Sequence, residues 1–316
     1  MAVLTASAYA PAAVGNVASG FDLIGHCIEG LGDVVTATRT QQKGSGAQAW
    51  VHAIQGRVTD LPTDPARNTA SCGATALLHA AGADFDVHLS LNKGIPMAAG
   101  LGGSAASATA AVVATNALLS EPLERDALYP YAAIGEAITT GQLVGDNVGP
   151  QLLGGLVLAT EQTLTRLPVP VGLTAVVVHP NLSIETTQAR ECLLAPFELE
   201  VITRQQASLA QLLIGLYTEN NDAIAQGLVD HLIEPRRGHL IPGFAGFKEL
   251  AKSHGALGAS ISGAGPSVFA WFGSKAEAQA AQHTLSQPFE AAGFETNTYL
   301  SAVAAPGARL VDPGDN

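Results

Sequence analysis

An α+β fold in two layered units is what this sequence predicts, on three observations. The chain has 316 residues, about twice the ~150 residues of an average domain. Helix and strand patterns intermix along it without the steady βαβα alternation of a doubly wound sheet. The connector Leu167-Pro168-Val169-Pro170 divides it, since proline in an extended run marks a link between packed units. The division placed after Pro168 gives units 1–168 and 169–316.

The elements follow in order. Val34 to Thr38 and Gln48 to Ile54 are rich in branched or aromatic residues and read as half-buried strands. Asp86 to Asn92 alternates strictly, with Val87, Leu89 and Leu91 on one face, so it is a strand. A Gly-rich turn comes next, then a helix from Ala105 to Leu119 on Ala, Val and Leu content. A second helix spans Leu128 to Thr140 and stops at Gly141, and Gly154 to Ala159 reads as a strand. Beyond the connector, Leu173–His179, Val268–Phe272 and Phe294–Leu300 read as strands. Arg204–Tyr217, Phe244–Ser253 and Lys275–Leu285 read as helices.

Composition removes several function classes. Charged residues are 13% and hydrophobic ones 47%, so a disordered chain is excluded. Fifteen Lys and Arg against 27 Asp and Glu leave a net charge of −12, the wrong field for a nucleic-acid partner. The first residues lack the basic start and apolar core of a secretory signal. Cys27, Cys72 and Cys192, an odd number spread far apart, suit free buried thiols in the cytoplasm. Gly94 to Ser120 carries no charge over a membrane-spanning length, but its Ala, Gly, Ser and Thr content gives poor transfer energy, so no membrane partner is expected. The nine histidines form no metal pair at helical spacing with a nearby acid, and no Gly-x-Ser-x-Gly elbow surrounds Ser104 or Ser107.

The sharpest local feature is Pro96-Met97-Ala98-Ala99-Gly100-Leu101-Gly102-Gly103-Ser104-Ala105-Ala106, between a strand and a helix. Glycines let backbone N–H groups turn inward, and the first helical turn adds unpaired donors and a positive dipole end, which together cradle an anion. Ser104 at the helix start serves either as a cap or as a ligand to a phosphate-bound metal. Taken alone, the loop is equally a tight turn with a capped helix. No Gly-Lys-Ser or Gly-Lys-Thr ends it, so it is not a Walker loop.

Three segments in order, Pro11 to Asp22, the glycine loop, and Gly258 to Ser267, resemble the signature motifs of the GHMP small-molecule kinases, most closely those that phosphorylate homoserine. Asp146-Asn147-Val148-Gly149-Pro150 with Leu153-Gly154-Gly155, and Glu234-Pro235-Arg236-Arg237 with Leu240 to Phe244, extend the resemblance from about Ala10 to Phe272. It implies a two-domain α+β GHMP kinase fold, with an N-terminal ribosomal-protein-S5-domain-2-like domain and a C-terminal ferredoxin-like α/β sandwich. It implies a homodimer, ATP and Mg²⁺ as cofactors, and transfer of phosphate to the homoserine hydroxyl. Another alcohol acceptor of the same kinase family, mevalonate-like or sugar, is an alternative, and so is a catalytically silent nucleotide-binding regulator.

Site residues follow from the same resemblance. Pro96 through Ala106 wrap the ATP phosphates, Asn68 reads the adenine or caps a helix, and Ser104 with Glu136 holds Mg²⁺. Homoserine is a zwitterion with a primary hydroxyl, so its site needs an anion, guanidinium groups and a polar group to aim the hydroxyl. Asp22 takes the ammonium, Arg190 and Arg237 the carboxylate, and Asn16, Gly263 and Asn147 orient the substrate. Asp146 lies beside the reacting centre with its role as base left open, because a loose transition state needs positioning more than deprotonation. Two positions depart from the family: Gly103 replaces a serine, and Val144 stands where a histidine is usual.

Overall fold

The computed structural model describes residues 4–41, 44, 46–184, 189 and 191–312, which form two sheets with helices packed on both. The larger sheet starts with β1 (Thr5–Val14), which pairs antiparallel along most of an 18-residue β2 (Ile24–Gln41), from His26 to Thr38 with a register shift after Pro11. Strand β4 (Phe85–Lys93) pairs with β2 on the other side, and β3 (Ala49–Gly56) forms the edge, parallel to β4. The end of β2 nearest Ile24 also carries β5 (Leu156–Ala159), which pairs in turn with β6 (Leu164–Leu167). The expected strand at Val34–Thr38 is the middle of β2.

One face of this sheet is covered by α1 (Thr69–Ala80), α2 (Gly103–Asn116), α3 (Tyr129–Thr140) and α4 (Val148–Leu153). Helix α2 is the central one, and every residue from Ala105 to Asn116 is buried. That explains its uncharged, all-round small apolar sequence, since a helix without a polar face belongs inside. Among the described residues no helix is long and apolar enough to cross a membrane. Small residues also let α1 and α3 approach α2 closely. A Cβ on Gly135 would lie 2.5 Å from the Thr69 carbonyl and 2.9 Å from Ala108 Cβ, so glycine there brings the following Glu136 against the start of α2.

The second sheet is antiparallel, in the order β10 (Thr296–Ala302), β7 (Thr174–Pro180), β9 (Val268–Phe272) and β8 (Gly258–Ile261). Around it lie α5 (Leu199–Thr218), α6 (Asn221–Gly227), α7 (Glu234–Arg237), α8 (Phe244–Ser253), α9 (Lys275–Gln282) and α10 (Gln287–Ala291). Strand periodicity divides its side chains between two cores. Val176, Val178, Ala270 and Phe272 pack with Phe247 and Phe289 from α8 and α10, whereas Ala175, Val177, Phe269 and Trp271 join the core of the larger sheet. Both faces are covered, so β7 and β9 read as continuous apolar runs.

A buried polar contact spans the junction. Trp271 donates its indole N–H to His26 Nε2 at 3.2 Å, while His26 Nδ1 donates to the Cys27 carbonyl at 2.8 Å. Burial lowers the His26 pKa to about 4, which keeps the ring neutral and able to accept. The chain then crosses back, since β11 (Arg309–Val311) pairs antiparallel with β1. A cut after Pro168 therefore separates β6 from β7 but assigns this last strand to the wrong sheet. No disulfide joins the three cysteines, and only Cys27 is buried, with Cys72 and Cys192 partly exposed.

Candidate active site

The glycine loop joins β4 to α2, and its left-handed residues Ala98, Gly100 and Gly102, with φ of 52°, 70° and 64°, fold the chain back on itself. Gly102 is the N-cap of α2 and supplies no side chain, so the first-turn amides of Gly103, Ser104 and Ala105 have no acceptor within the helix. The three distant motifs of the sequence interlock here. Ser262 Oγ donates to the Gly100 carbonyl at 2.7 Å, the Ser267 amide to the Ala99 carbonyl at 3.2 Å, and the Gly263 amide to the Gly15 carbonyl at 2.9 Å. A Cβ on Gly100 would sit 2.5 Å from the Ser262 carbonyl and 2.6 Å from that of Gly265, so no other residue fits.

Ser104 does not cap the helix. Its Oγ donates to Glu136 Oε1 on α3 at 2.9 Å. Burial pushes the Glu136 carboxyl up to about 7, against the lowering effect of the Ser104 hydroxyl. A buried carboxylate short of positive charge beside a hydroxyl is a pair of hard oxygens that suits Mg²⁺. No group of three or more His, Cys, Asp or Glu that could hold a metal occurs among the described residues.

Asp146 and Asn147 precede α4, on a turn that needs glycine at 145, where a Cβ would lie 2.0 Å from Tyr129 Oη. Asp146 is buried, and burial pushes its carboxyl up to about 7, with the Asp22 charge adding to the rise. Its Oδ2 accepts the Asn16 amide at 2.8 Å, and its Oδ1 accepts Asn147 Nδ2 at 3.2 Å. Asn16 and Asp22 both adopt left-handed backbone, φ 58° and 54°, which Asn and Asp tolerate better than other non-glycine residues. Asn16 Oδ1 accepts the Asp22 amide and its Nδ2 donates to the Gly263 carbonyl, both at 2.8 Å.

Arg237, on α7, is 4% exposed. It donates through Nε to the Ala189 carbonyl at 2.7 Å, and its guanidinium carbon lies 5.5 Å from the Phe21 ring centroid. Arg190 lies outside the described residues. Asn68 is the N-cap of α1, its Oδ1 accepting the amides of Ala70 and Ser71, which matches the capping alternative.

These pieces surround one cavity of about 800 Å³. The glycine loop from Pro96 to Ser104, Asn68, Glu136, Asp146, Asn147, Asn16, Asp22, Arg237 and Gly263 all line it, as does Val144. Ala105 and Ala106 are fully buried behind the loop and do not line it, since they belong to the helix body.

Sequence reasoning gave no role to the ion pair under the loop. Lys93 pairs with Asp33 through Oδ2 and donates to the Gly103 carbonyl and Ser107 Oγ, each at 2.7 Å. Asp33 Oδ1 accepts the amides of Gly94 and Ile95, at 3.0 and 3.1 Å. The signal was present in the strand pattern: Lys93 continues the buried series Val87, Leu89, Leu91, and Asp33 continues that of Val35 and Ala37. Charges on apolar faces of neighbouring strands are expected to meet.

Two sheets that lock a glycine loop over a cavity of this composition suit a small-molecule kinase, and comparison with known proteins agrees. The GHMP kinases N terminal domain matches residues 68–155, and GHMP kinases C terminal matches 209–291. The chain is 45% identical over 97% of its length to homoserine kinase of Xylella fastidiosa, covering 94% of that protein, and 38% identical over 96% of its length to that of Chlorobium phaeovibrioides, covering 98%. The crystal structure of homoserine kinase from Cytophaga hutchinsonii superposes with a TM-score of 0.92 at 35% identity, with 97% of each chain covered. This chain belongs to the homoserine kinase family of GHMP kinases. Use of ATP as phosphoryl donor comes with that membership.

Proposed function

We propose that the chain phosphorylates the side-chain hydroxyl of L-homoserine from ATP, giving O-phospho-L-homoserine for threonine biosynthesis. The observation that carries this reading is the single cavity in which a phosphate-binding backbone and a zwitterion-binding set face one another. Amides of the loop from Gly100 to Ser104 grip the phosphates, and the N-terminus of α2 adds its dipole. Asn68 borders the nucleotide base. Ser104 and Glu136 would hold Mg²⁺, which would neutralise the phosphate charge during transfer.

On the acceptor side Asp22 receives the ammonium and Arg237, with Arg190, the carboxylate. Asn16 and the Gly263 carbonyl fix this end, because they are hydrogen-bonded to each other at 2.8 Å. Asn147 aims the hydroxyl. The hydroxyl oxygen bonds to the γ-phosphorus as the bond to the bridging oxygen breaks, and ADP leaves with that electron pair. The released proton passes to Asp146, whose carboxyl, pushed up to about 7, is matched to that task near neutral pH. Dimeric assembly and a cytoplasmic location belong to the same reading. ADP release measured with homoserine, mevalonate and sugars tests it: homoserine is expected to give the highest kcat/KM, and no homoserine-dependent turnover at millimolar concentration overturns it.

A further inference from the structure

A second side chain of α4 reaches the phosphate loop. Gln151 Nε2 donates to the Gly102 carbonyl at 2.9 Å, the same carbonyl that accepts the first helical bond of α2, from the Ala106 amide, also at 2.9 Å. The Cβ that Gly102 lacks would lie 2.7 Å from Asn147 Oδ1 and 2.9 Å from Gln151 Nε2, so loop, Asn147 and Gln151 are in direct contact.

Gln151 is fully buried, and its Oε1 has no hydrogen-bond partner among the described residues. Turning the amide over would set Oε1 against the Gly102 carbonyl, two acceptors together, so the orientation is fixed by chemistry. A buried amide with one end unpartnered costs stability, and an apolar side chain of the same length would remove that cost. The backbone at this position needs no help from the side chain. Its N–H donates to the Asn147 carbonyl at 3.1 Å, and its carbonyl accepts the Ala308 amide at 2.6 Å. What the side chain adds is its single bond to Gly102.

We propose that Gln151 is a positioning residue for phosphoryl transfer. In a trans peptide the carbonyl and the following N–H point in opposite directions. Two donors on the Gly102 carbonyl therefore hold the Gly103 amide out of the helix end, toward the phosphates. The same side chain ties the loop through one turn of α4 to Asn147 and Asp146, so donor and acceptor keep a fixed separation. The inference rests on the kinase reading for its kinetic consequence, whereas its effect on nucleotide affinity does not depend on the identity of the alcohol.

The test uses the full chain with Gln151→Met and Gln151→Glu, read by melting temperature, ADP affinity by calorimetry, and separate KM and kcat values. The Met variant is expected to melt no lower than the parent yet bind ADP about 10-fold more weakly, the equivalent of one lost hydrogen bond. KM for ATP should rise and kcat fall while KM for homoserine stays within about two-fold. In the Glu variant the protonated acid donates to Gly102 and the ionised acid repels it. Its ADP affinity relative to the parent therefore falls as pH rises from about 6 to 9, while the Met variant keeps a constant offset. A Met variant that melts lower or retains parental ADP affinity overturns the proposal, as does a Glu variant without that pH dependence. A parent that ignores homoserine sinks the kinase reading instead, and the ADP measurements still decide the role of Gln151.

Discussion

The two halves of the cavity are made from different materials. The phosphate side is backbone: amides of a glycine loop, held by carbonyl contacts from three motifs and by a buried Lys93–Asp33 pair whose hydrogen-bonding groups are used. The side proposed for the alcohol is side chain: Asp22, Asn16, Arg237 and Asn147 on turns and short helices, bordered by Leu193 and Leu194, the latter 82% exposed. A triphosphate presents the same oxygens whatever the acceptor, so backbone donors suffice and tolerate no slack. An acceptor is distinguished by its own charges and shape, which only side chains can address. Damage to the first half should therefore cost stability and nucleotide binding together. In the second half it should cost acceptor affinity alone.

The largest expected effect tests the first half of that contrast. Lys93→Met strands Asp33 in the core and should destabilise the fold by about 3–5 kcal/mol, read as a shift in urea midpoint. Adding Asp33→Asn, whose Oδ1 still accepts the Gly94 and Ile95 amides, should restore much of that stability without restoring KM for ATP, because the bond to the Gly103 carbonyl stays lost. Full kinetic recovery in the double variant would reduce the pair to packing.

Glu136→Gln comes next, with kcat lowered about 10²–10³-fold if the carboxylate holds the ion that neutralises the transition state. The same variant has a signature in stability. Glu136 and Asp146 are both pushed up to about 7 by burial, so between about pH 4 and 7 the folded chain keeps protons that the unfolded chain has released. Stability of the ligand-free protein therefore falls as pH rises through that window. Gln at 136 should flatten the fall and, above pH 7 without Mg²⁺, make the variant more stable than the parent. Identical pH–stability curves would remove Glu136 from the argument.

Arg237→Met probes the alcohol side. Losing a charged hydrogen bond to the substrate carboxylate, worth about 1.5–3 kcal/mol, should raise KM for homoserine about 10–100-fold and leave KM for ATP unmoved. A matching rise in both constants would show that the two halves are not separable.

The same division governs what the sequence disclosed. Segments that carry regular patterns on one or two buried faces were legible: β4 from its alternation, α8 and β9 with the bounds they have, and α2 from its small apolar content. β1 was not, because its Ala- and Pro-rich TASAYAPAAV carries little strand propensity and forms through pairing with β2 over ten residues. Nor was β11, three residues long and held by contacts with the far end of the chain. Residues that line the cavity were legible where a motif spells them out in order. Gln151 was not, since it acts through a contact across 49 positions that no local pattern encodes, and the strand pattern marks Lys93 and Asp33 only as charges on apolar faces without naming their contacts across 10 to 74 positions. Arg237 was named from the family resemblance, but its bond to the Ala189 carbonyl is visible only in three dimensions.

Val144 offers the finest test of the acceptor half. It lines the cavity two residues before Asp146, on a turn where its amide donates to the Gln142 carbonyl at 3.1 Å. Valine offers no donor, so in the proposed reading the charges of the substrate are left to Asp22 and Arg237 without help from this wall. Val144→His would add one neutral or weakly charged hydrogen bond near the acceptor, worth about 0.5–1.5 kcal/mol. KM for homoserine should fall about two- to ten-fold, with kcat and KM for ATP unchanged. A higher KM for homoserine would mean instead that the imidazole fills volume the acceptor needs. The apolar wall would then contribute to acceptor choice, and the alcohol side would be selective by shape as well as by charge.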